Sequence, residues 1–352
     1  MTMPVRSMRA VILTELRQPL VVGEVALPDE LSVGQVLVKV HYSGICGSQL
    51  GEIDGIKGAD PFLPHLLGHE GSGEVVSTGP GVSRVRVGER VVLHWRKAPG
   101  IESPTPCYTW NGKQVNAGWV TTLNEYAIVS ENRLTPIPND FDLRLASLLG
   151  CPVTTGLGVV CNGARLQPGE SLVVLGAGGV GLSVVMAAAL VSAHPIVAVD
   201  RTPAKLALAR QLGATHSFLA DLRDLESTIR AVVGADGADV VVEGTGATAM
   251  IQLACRLTQP EGRTILVGVP QEPAVALPTL PLHFGKQLIG SHGGGTRPER
   301  DIPRCIGLHG RGRLPLEKLI TDRCRLDQIN DAVARMRRGE LVGRYLVEIN
   351  PA

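Results

Sequence analysis

Residues 171–182 read SLVVLGAGGVGL, an apolar run that breaks into glycine and then resumes. A buried strand, a tight turn and a helix account for that texture. Gly176, Gly178 and Gly181 set GxGxxG at the turn, with Gly179 and Val180 between the last two. Glycines there let the backbone approach a pyrophosphate, and the N-terminus of the following helix offers unpaired N–H groups to its charge. Alone the pattern is weak. The next apolar run, HPIVAVD, ends at Asp200, 24 residues after Gly176, where an acid can accept hydrogen bonds from adenosine ribose hydroxyls. An acid in that place also repels a 2′-phosphate, which predicts NAD. Arg201 follows it and leaves NADP as the less favoured cofactor. A glycine turn with no ligand is the bland alternative, and Asp200 weighs against it.

Working outward, ADVVVEGTG and RTILVGVP alternate with helical stretches such as TPAKLALARQLGA. Residues 153–292 therefore predict an α/β domain with a parallel sheet covered by helices. Residues 171–199 contain no Asp, Glu, Lys or Arg, long enough to suggest a membrane span. The clustered glycines, the His194-Pro195 interruption and the lack of a basic flank argue for strand, turn, helix and strand instead. Residues 1–152 are different: short valine-bearing runs punctuated by glycine predict a twisted β-barrel-like domain. Residues 293–352 open with GGGTRPER, continue with a helix, LDQINDAVARMRRGE, and end in a strand, GRYLVEI, expected to return to the first domain.

Bulk properties narrow the partners. A chain of 352 residues exceeds the usual single core, so two domains are expected. Net charge is +1 with no Lys/Arg block, which argues against nucleic-acid and membrane partners. MTMPVRSMRAVILTE lacks the apolar core and cleavage site of a secretory leader. The seven scattered cysteines make no disulfide framework, and with the N-terminus they predict a cytoplasmic protein. There is no close CxxC pair, so a metal site has to be assembled from distant segments.

Three segments offer one. GICGSQ supplies Cys46, LLGHEGSGEVV supplies His69 and Glu70, and LLGCPVTTGLG supplies Cys151. A sulfur, nitrogen, sulfur set suits tetrahedral zinc with an open fourth position, the arrangement of a catalytic site. A lone cysteine is more often a small buried hydrophobe, and residue chemistry alone leaves open whether the three converge.

Over essentially its whole length the chain resembles the zinc-dependent medium-chain alcohol dehydrogenases. GHEGSGEVVSTGPGV is similar to the family's zinc signature, and GAGGVG stands at the expected distance from it. The resemblance implies a GroES-like β-barrel catalytic domain around an inserted Rossmann domain of doubly wound parallel sheet. It implies Cys46, His69 and Cys151 as zinc ligands, Glu70 as the carboxylate behind the metal, and Ser48 as the hydroxyl that takes the alcohol's proton. Thr155 and Val180 match positions on the nicotinamide, and Val269 matches backbone that holds its carboxamide. Asp200 and Lys205 match the adenosine-ribose pair, and Arg344 a pyrophosphate-binding arginine. Trp95 and Leu123 match the substrate pocket. A small-molecule alcohol or carbonyl substrate and a homodimer or homotetramer are implied as well.

Two departures stand out. Better-known members carry four closely spaced cysteines for a second, structural zinc, whereas LHWRKAPGIESPTPCYTWNGKQVNAGWV has Cys107 alone, so one catalytic zinc and no structural zinc is expected. The same segment holds all three tryptophans: Trp95 is assigned to the pocket, Trp110 and Trp119 to packing. Some members also have a basic residue directly after the first zinc cysteine and a histidine four positions later, where this chain has Gly47 and Gly51. CGS is similar to the polyol branch, while a thiol at Cys151 is similar to the alcohol branch. Polyol or cyclitol oxidation is therefore an alternative. A zinc-free reductase lacks this ligand set, and a non-catalytic dinucleotide-binding protein would have no need of it.

Overall fold

The computed structural model describes residues 4–56 and 58–351. The chain divides into two units. One comprises the described residues of Met1–Cys151, Arg297–Ile306 and Ile320–Ala352; the other comprises Pro152–Thr296 and Gly307–Leu319. The segment expected at 293–352 is thus divided, because its middle stretch packs with the second unit.

The first unit contains two sheets. Strands Ser7–Leu13, Val21–Ala26, Cys107–Trp110, Lys113–Asn116 and His65–Leu66 form a closed barrel. The hairpin within it turns through Asn111 and Gly112, both with positive φ (50° and 74°), the conformation a two-residue hairpin loop requires. The second sheet is seven-stranded and centres on Gln35–Gly44. That strand reads QVLVKVHYSG, and nine of its ten residues are buried. It earns that burial by pairing along its length with Glu70–Thr78 and Tyr126–Ser130, and at its end with Arg344–Glu348.

Register decides what meets at that end. Ser43 lies opposite Gly71, so the chain entering Cys46 runs beside the chain leaving His69. Glu70 lies opposite His94, and Leu346 opposite Gly44. The C-terminal strand thus returns to this sheet as its sequence suggested. Apolar clusters close both sheets. Met8, Ile12, Leu37, Leu66, Tyr108 and Ile128 fill one; the Tyr108 hydroxyl there accepts the Ile128 N–H at 3.1 Å, which satisfies a buried polar atom.

The segment after Arg90–His94 is held by buried side-chain hydrogen bonds. The Glu131 carboxylate accepts the backbone N–H groups of Ile101, Ser83 and Arg84 at 2.8, 2.9 and 3.0 Å. Arg133, 3% exposed, donates to the Trp95 carbonyl and to Glu102. Trp110 packs on the barrel cluster, as expected. Trp119 does not pack: it is 64% exposed, with the Arg133 guanidinium 4.8 Å above its ring. A cation–π contact rather than burial holds it.

The second unit is a six-stranded parallel sheet in the order His216–Leu219, Ile196–Asp200, Leu172–Leu175, Ala238–Glu243, Thr258–Leu266, Gln287–Gly290. Counted from Leu172–Leu175 the order is 3-2-1-4-5-6, the dinucleotide-binding arrangement, which reverses direction beside its first strand. Val173, Leu175, Val197, Val199 and Val241 are buried in its core with Ile229 and Leu257. The apolar stretch at 171–199 resolves into a strand, the helix Gly179–Leu190 and a second strand. No single helix among the described residues is long and apolar enough to cross a membrane.

Candidate metal centre

The Sγ atoms of Cys46 and Cys151 and a ring nitrogen of His69 all lie within 4.8 Å of one another. Zn–S near 2.3 Å and Zn–N near 2.0–2.1 Å put the edges of a tetrahedral site at about 3.5–3.8 Å, so the three donors fit one zinc ion and leave a fourth position free. Among the described residues this is the one grouping of three or more Cys, His, Asp or Glu that could hold a metal.

Each ligand arrives by a different route. Cys46 is the N-cap of the helix Gly47–Ile53, and its own N–H donates to Gln49 Oε1 at 2.9 Å. His69 lies between the strands His65–Leu66 and Glu70–Thr78. Cys151 follows the short helical turn Leu148–Gly150 with φ −146° and ψ −75°. Ser48 is exposed on the first turn after Cys46.

Behind the ligands, Glu70 is 0% exposed. Arg344 Nη2 donates to Glu70 Oε2 at 3.2 Å and lies 4.0 Å from Cys151 Sγ. Arg344, expected at a pyrophosphate, also reaches Glu70, because pairing of its strand with Gln35–Gly44 brings it beside the candidate ligands. Two glycines make room for Glu70, Gly44 for its carboxylate and Gly150 for its backbone. A Cβ at Gly44 would stand 2.5 Å from Glu70 Oε1, and one at Gly150 would stand 3.0 Å from Glu70 Cα.

The electrostatics follow from burial and proximity. The hydrogen bond from Cys151 holds the Cys46 thiol well below its ordinary range, with Arg344 and His69 assisting against burial. Cys151 moves the opposite way, pushed up by Cys46 and by burial. Burial works against the His69 cation, but the bond to Cys46 and the charges of Cys46 and Glu70 outweigh it and raise His69. Burial lifts the Glu70 carboxyl to about 7, opposed by Arg344. These opposed shifts mark Cys46, His69 and Cys151 as one strongly interacting buried cluster, and a bound metal would hold the thiols as thiolates and the imidazole neutral.

Other expected residues fall elsewhere. Leu123 is 2% exposed and packs in the apolar cluster with Val11, Leu67, Ile329 and Val347. Trp95 is half-buried, one residue beyond His94, with Arg96 5.6 Å from its ring. In the second unit, Gly176 has φ 99° and Gly178 caps the helix Gly179–Leu190. Gly181 is packed against the Gly176 carbonyl with no space for a Cβ. Asp200 Oδ2 accepts the Ala177 N–H at 2.8 Å and Oδ1 the Thr202 N–H at 3.0 Å, with Lys205 Nζ at 3.8 Å. The acid thus braces the glycine turn. Arg201 is exposed, Thr155 is buried and Val269 is 48% exposed. Sequence reasoning missed the pairing of Arg344 with Glu70 and the glycines that admit it, since 274 residues separate the pair.

Comparison with known proteins shows the family. Residues 32–139 match the alcohol dehydrogenase GroES-like domain and residues 179–308 the zinc-binding dehydrogenase domain. The chain is 32% identical to geraniol dehydrogenase of Castellaniella defragrans, covering 97% of this chain and 98% of that one. It is 30% identical to S-(hydroxymethyl)glutathione dehydrogenase of Synechocystis, covering 95% and 98%. The crystal structure of benzyl alcohol dehydrogenase from Acinetobacter calcoaceticus is similar, with TM-score 0.87, 27% identity and coverage of 98% and 100%.

Proposed function

The chain belongs to the zinc-dependent medium-chain alcohol dehydrogenases and interconverts an alcohol with an aldehyde or ketone; we propose that it does so with one zinc ion on Cys46, His69 and Cys151 and with NAD as hydride acceptor. The observation that carries this reading is the convergence of three donor atoms within 4.8 Å. A zinc ion so held supplies Lewis acidity, of the kind that lowers the pKa of bound water from about 15.7 to near 7.

The chain's own residues supply the rest. Two thiolates and a neutral imidazole balance a divalent charge. Ser48, exposed two residues after Cys46, takes the alcohol's proton. Gly51 has no side chain to pass it on, so the proton leaves through water or a ribose hydroxyl. Glu70 holds Arg344 through one oxygen and keeps the other without a protein partner behind the metal. Asp200 and Lys205 bind the adenosine ribose and select NAD over NADP. Gly176, Gly178 and Gly181 admit the pyrophosphate, while Thr155, Val180 and Val269 position the nicotinamide. Trp95 lines the substrate pocket. Its indole, with relatives named for geraniol and benzyl alcohol, supports a bulky apolar alcohol over a polyol. Cys107, lone in its segment, supports one zinc per chain. The edge strand Gln287–Gly290 with exposed Leu280 and Phe284 supports a homodimer or homotetramer.

The test is NAD reduction across benzyl alcohol, geraniol, secondary alcohols, polyols and cyclitols, with and without a chelator and at measured zinc content. Apolar primary alcohols are expected to lead. Cys46→Ala is expected to lose roughly 1,000-fold in turnover, the scale of several kcal/mol of Lewis-acid stabilisation. Unchanged turnover in that variant would sink the zinc mechanism.

A further inference from the structure

His69 sits in no ladder of its own, since it lies in the coil between His65–Leu66 and Glu70–Thr78. Its orientation depends on the backbone to either side. Before it, the Leu67 carbonyl accepts the N–H groups of both Thr122 and Leu123 at 3.1 Å. Gly68 then takes φ 99°, and a Cβ there would strike the Thr122 hydroxyl and the Leu123 nitrogen. After it, the Glu70 carbonyl lies 3.1 Å from Ser43 Oγ and 3.3 Å from Thr122 Oγ1, and those two oxygens are 2.7 Å apart. Ser43 and Thr122 are both 0% exposed.

The two hydroxyls own two protons. If Ser43 donates to Thr122, Thr122 donates to the Glu70 carbonyl; if Thr122 donates to Ser43, Ser43 does so. Either way one hydroxyl donates to the other and the second donates to the Glu70 carbonyl, so both protons are used among these three oxygens. Ser43 is also three residues before Cys46, on the strand that delivers that ligand. The pair therefore joins the chain carrying Cys46, the chain carrying His69 and the segment at Thr122.

We propose that the Ser43–Thr122 hydroxyl pair positions the metal ligands, fixing the spacing of His69 from Cys46. This rests on the zinc reading above. Gly68, at φ 99°, is the turn just before His69, and the Thr122 hydroxyl packs where a Cβ on it would stand. Loss of either hydroxyl breaks the 2.7 Å link between the Cys46-bearing strand and the Thr122 segment and leaves a single hydroxyl on the Glu70 carbonyl, which lets the His69 ring shift relative to the two sulfurs. Neither side chain touches substrate or metal, so both are positioning residues.

The experiment uses the full chain carrying Ser43→Ala, Thr122→Ala or Thr122→Ser. Zinc affinity is measured by competition with a chromophoric chelator, ligand geometry by the visible absorption of the cobalt(II)-substituted protein, and fold by thermal unfolding of the metal-free protein. Both alanine variants are expected to lose about 10- to 100-fold in zinc affinity, as outer-sphere changes commonly do, and to shift the cobalt bands. Thr122→Ser, which keeps the hydroxyl, is expected to stay within roughly threefold of the parent. Unchanged affinity and cobalt spectra in the alanine variants overturn the proposal, as does an equal loss in Thr122→Ser. A parent chain that binds no stoichiometric zinc overturns the metal reading and this proposal with it. That failure is distinguishable, because it shows before any variant is made.

Discussion

In the unit built on the parallel sheet, the residues around the glycine turn lie close in sequence as well as in space. Asp200 accepts the Ala177 N–H at 2.8 Å, and one strand-turn-helix-strand passage supplies both. In the barrel-bearing unit, Cys46, Glu70, Cys151 and Arg344 come from four separate stretches and meet only through register. A local site depends on turn chemistry and tolerates change around it. An assembled site depends on strand pairing, so its charges have to be balanced by residues whose partners are far away in the chain. The first kind of site is robust to distant substitutions, and the second couples activity to stability.

The largest effect that would sharpen this contrast is expected at Glu70. Glu70→Ala leaves the buried Arg344 guanidinium without its carboxylate, and breaking such a pair typically costs about 3–5 kcal/mol. Denaturant unfolding at pH 8 checks it; a loss below about 1 kcal/mol, the scale of exposed pairs, would break the comparison.

His94 gives the next. It lies opposite Glu70, its Nδ1 donating to the Arg96 carbonyl at 2.7 Å and its Nε2 accepting from the Thr135 hydroxyl at 2.9 Å. That arrangement needs a neutral ring, and burial pushes its pKa down to about 4. The unfolded chain titrates near 6.5 and so binds the extra proton first. Stability is therefore full above about pH 6.5 and falls as pH drops towards 4, by about 3 kcal/mol for this one group. His94→Asn is expected to flatten the unfolding curve across that window, and an unchanged slope would refute the assignment.

The smallest of the three lies in the other unit. Asp200→Ala is expected to raise KM for NAD about 10- to 100-fold through loss of charge-assisted hydrogen bonds and to narrow the preference over NADP. Turnover at saturating NAD should change far less. A matching fall in thermal stability as large as that of Glu70→Ala would erase the distinction between the two kinds of site.

Legibility in the sequence followed the same division. The parallel sheet, the glycine turn and Asp200 could be read directly, because strand, turn and helix leave periodic and local signals. Cys46, His69 and Cys151 could be proposed from residue type and family likeness, since few other patterns leave two thiols and an imidazole without a local partner. The pairing of Arg344 with Glu70 could not be read, because a lone arginine at the start of a C-terminal strand carries no mark of a buried carboxylate 274 residues away. Trp119 was expected to pack and is exposed on Arg133. Ser43 and Thr122 gave no signal at all, as buried hydroxyls and surface hydroxyls look alike in a sequence.

By itself, then, the sequence determined the two architectures, the nucleotide turn and the candidate ligands, all of which depend on short-range periodicity and residue chemistry. Only the tertiary structure decided that Glu70 faces Arg344, that Gly44 and Gly150 make space for it, and that Ser43 and Thr122 grip the chain beside His69. These facts depend on the register of Gln35–Gly44 against two distant strands. A shift of one residue would turn every side chain to the opposite face, and no local pattern records which register the packed core selects.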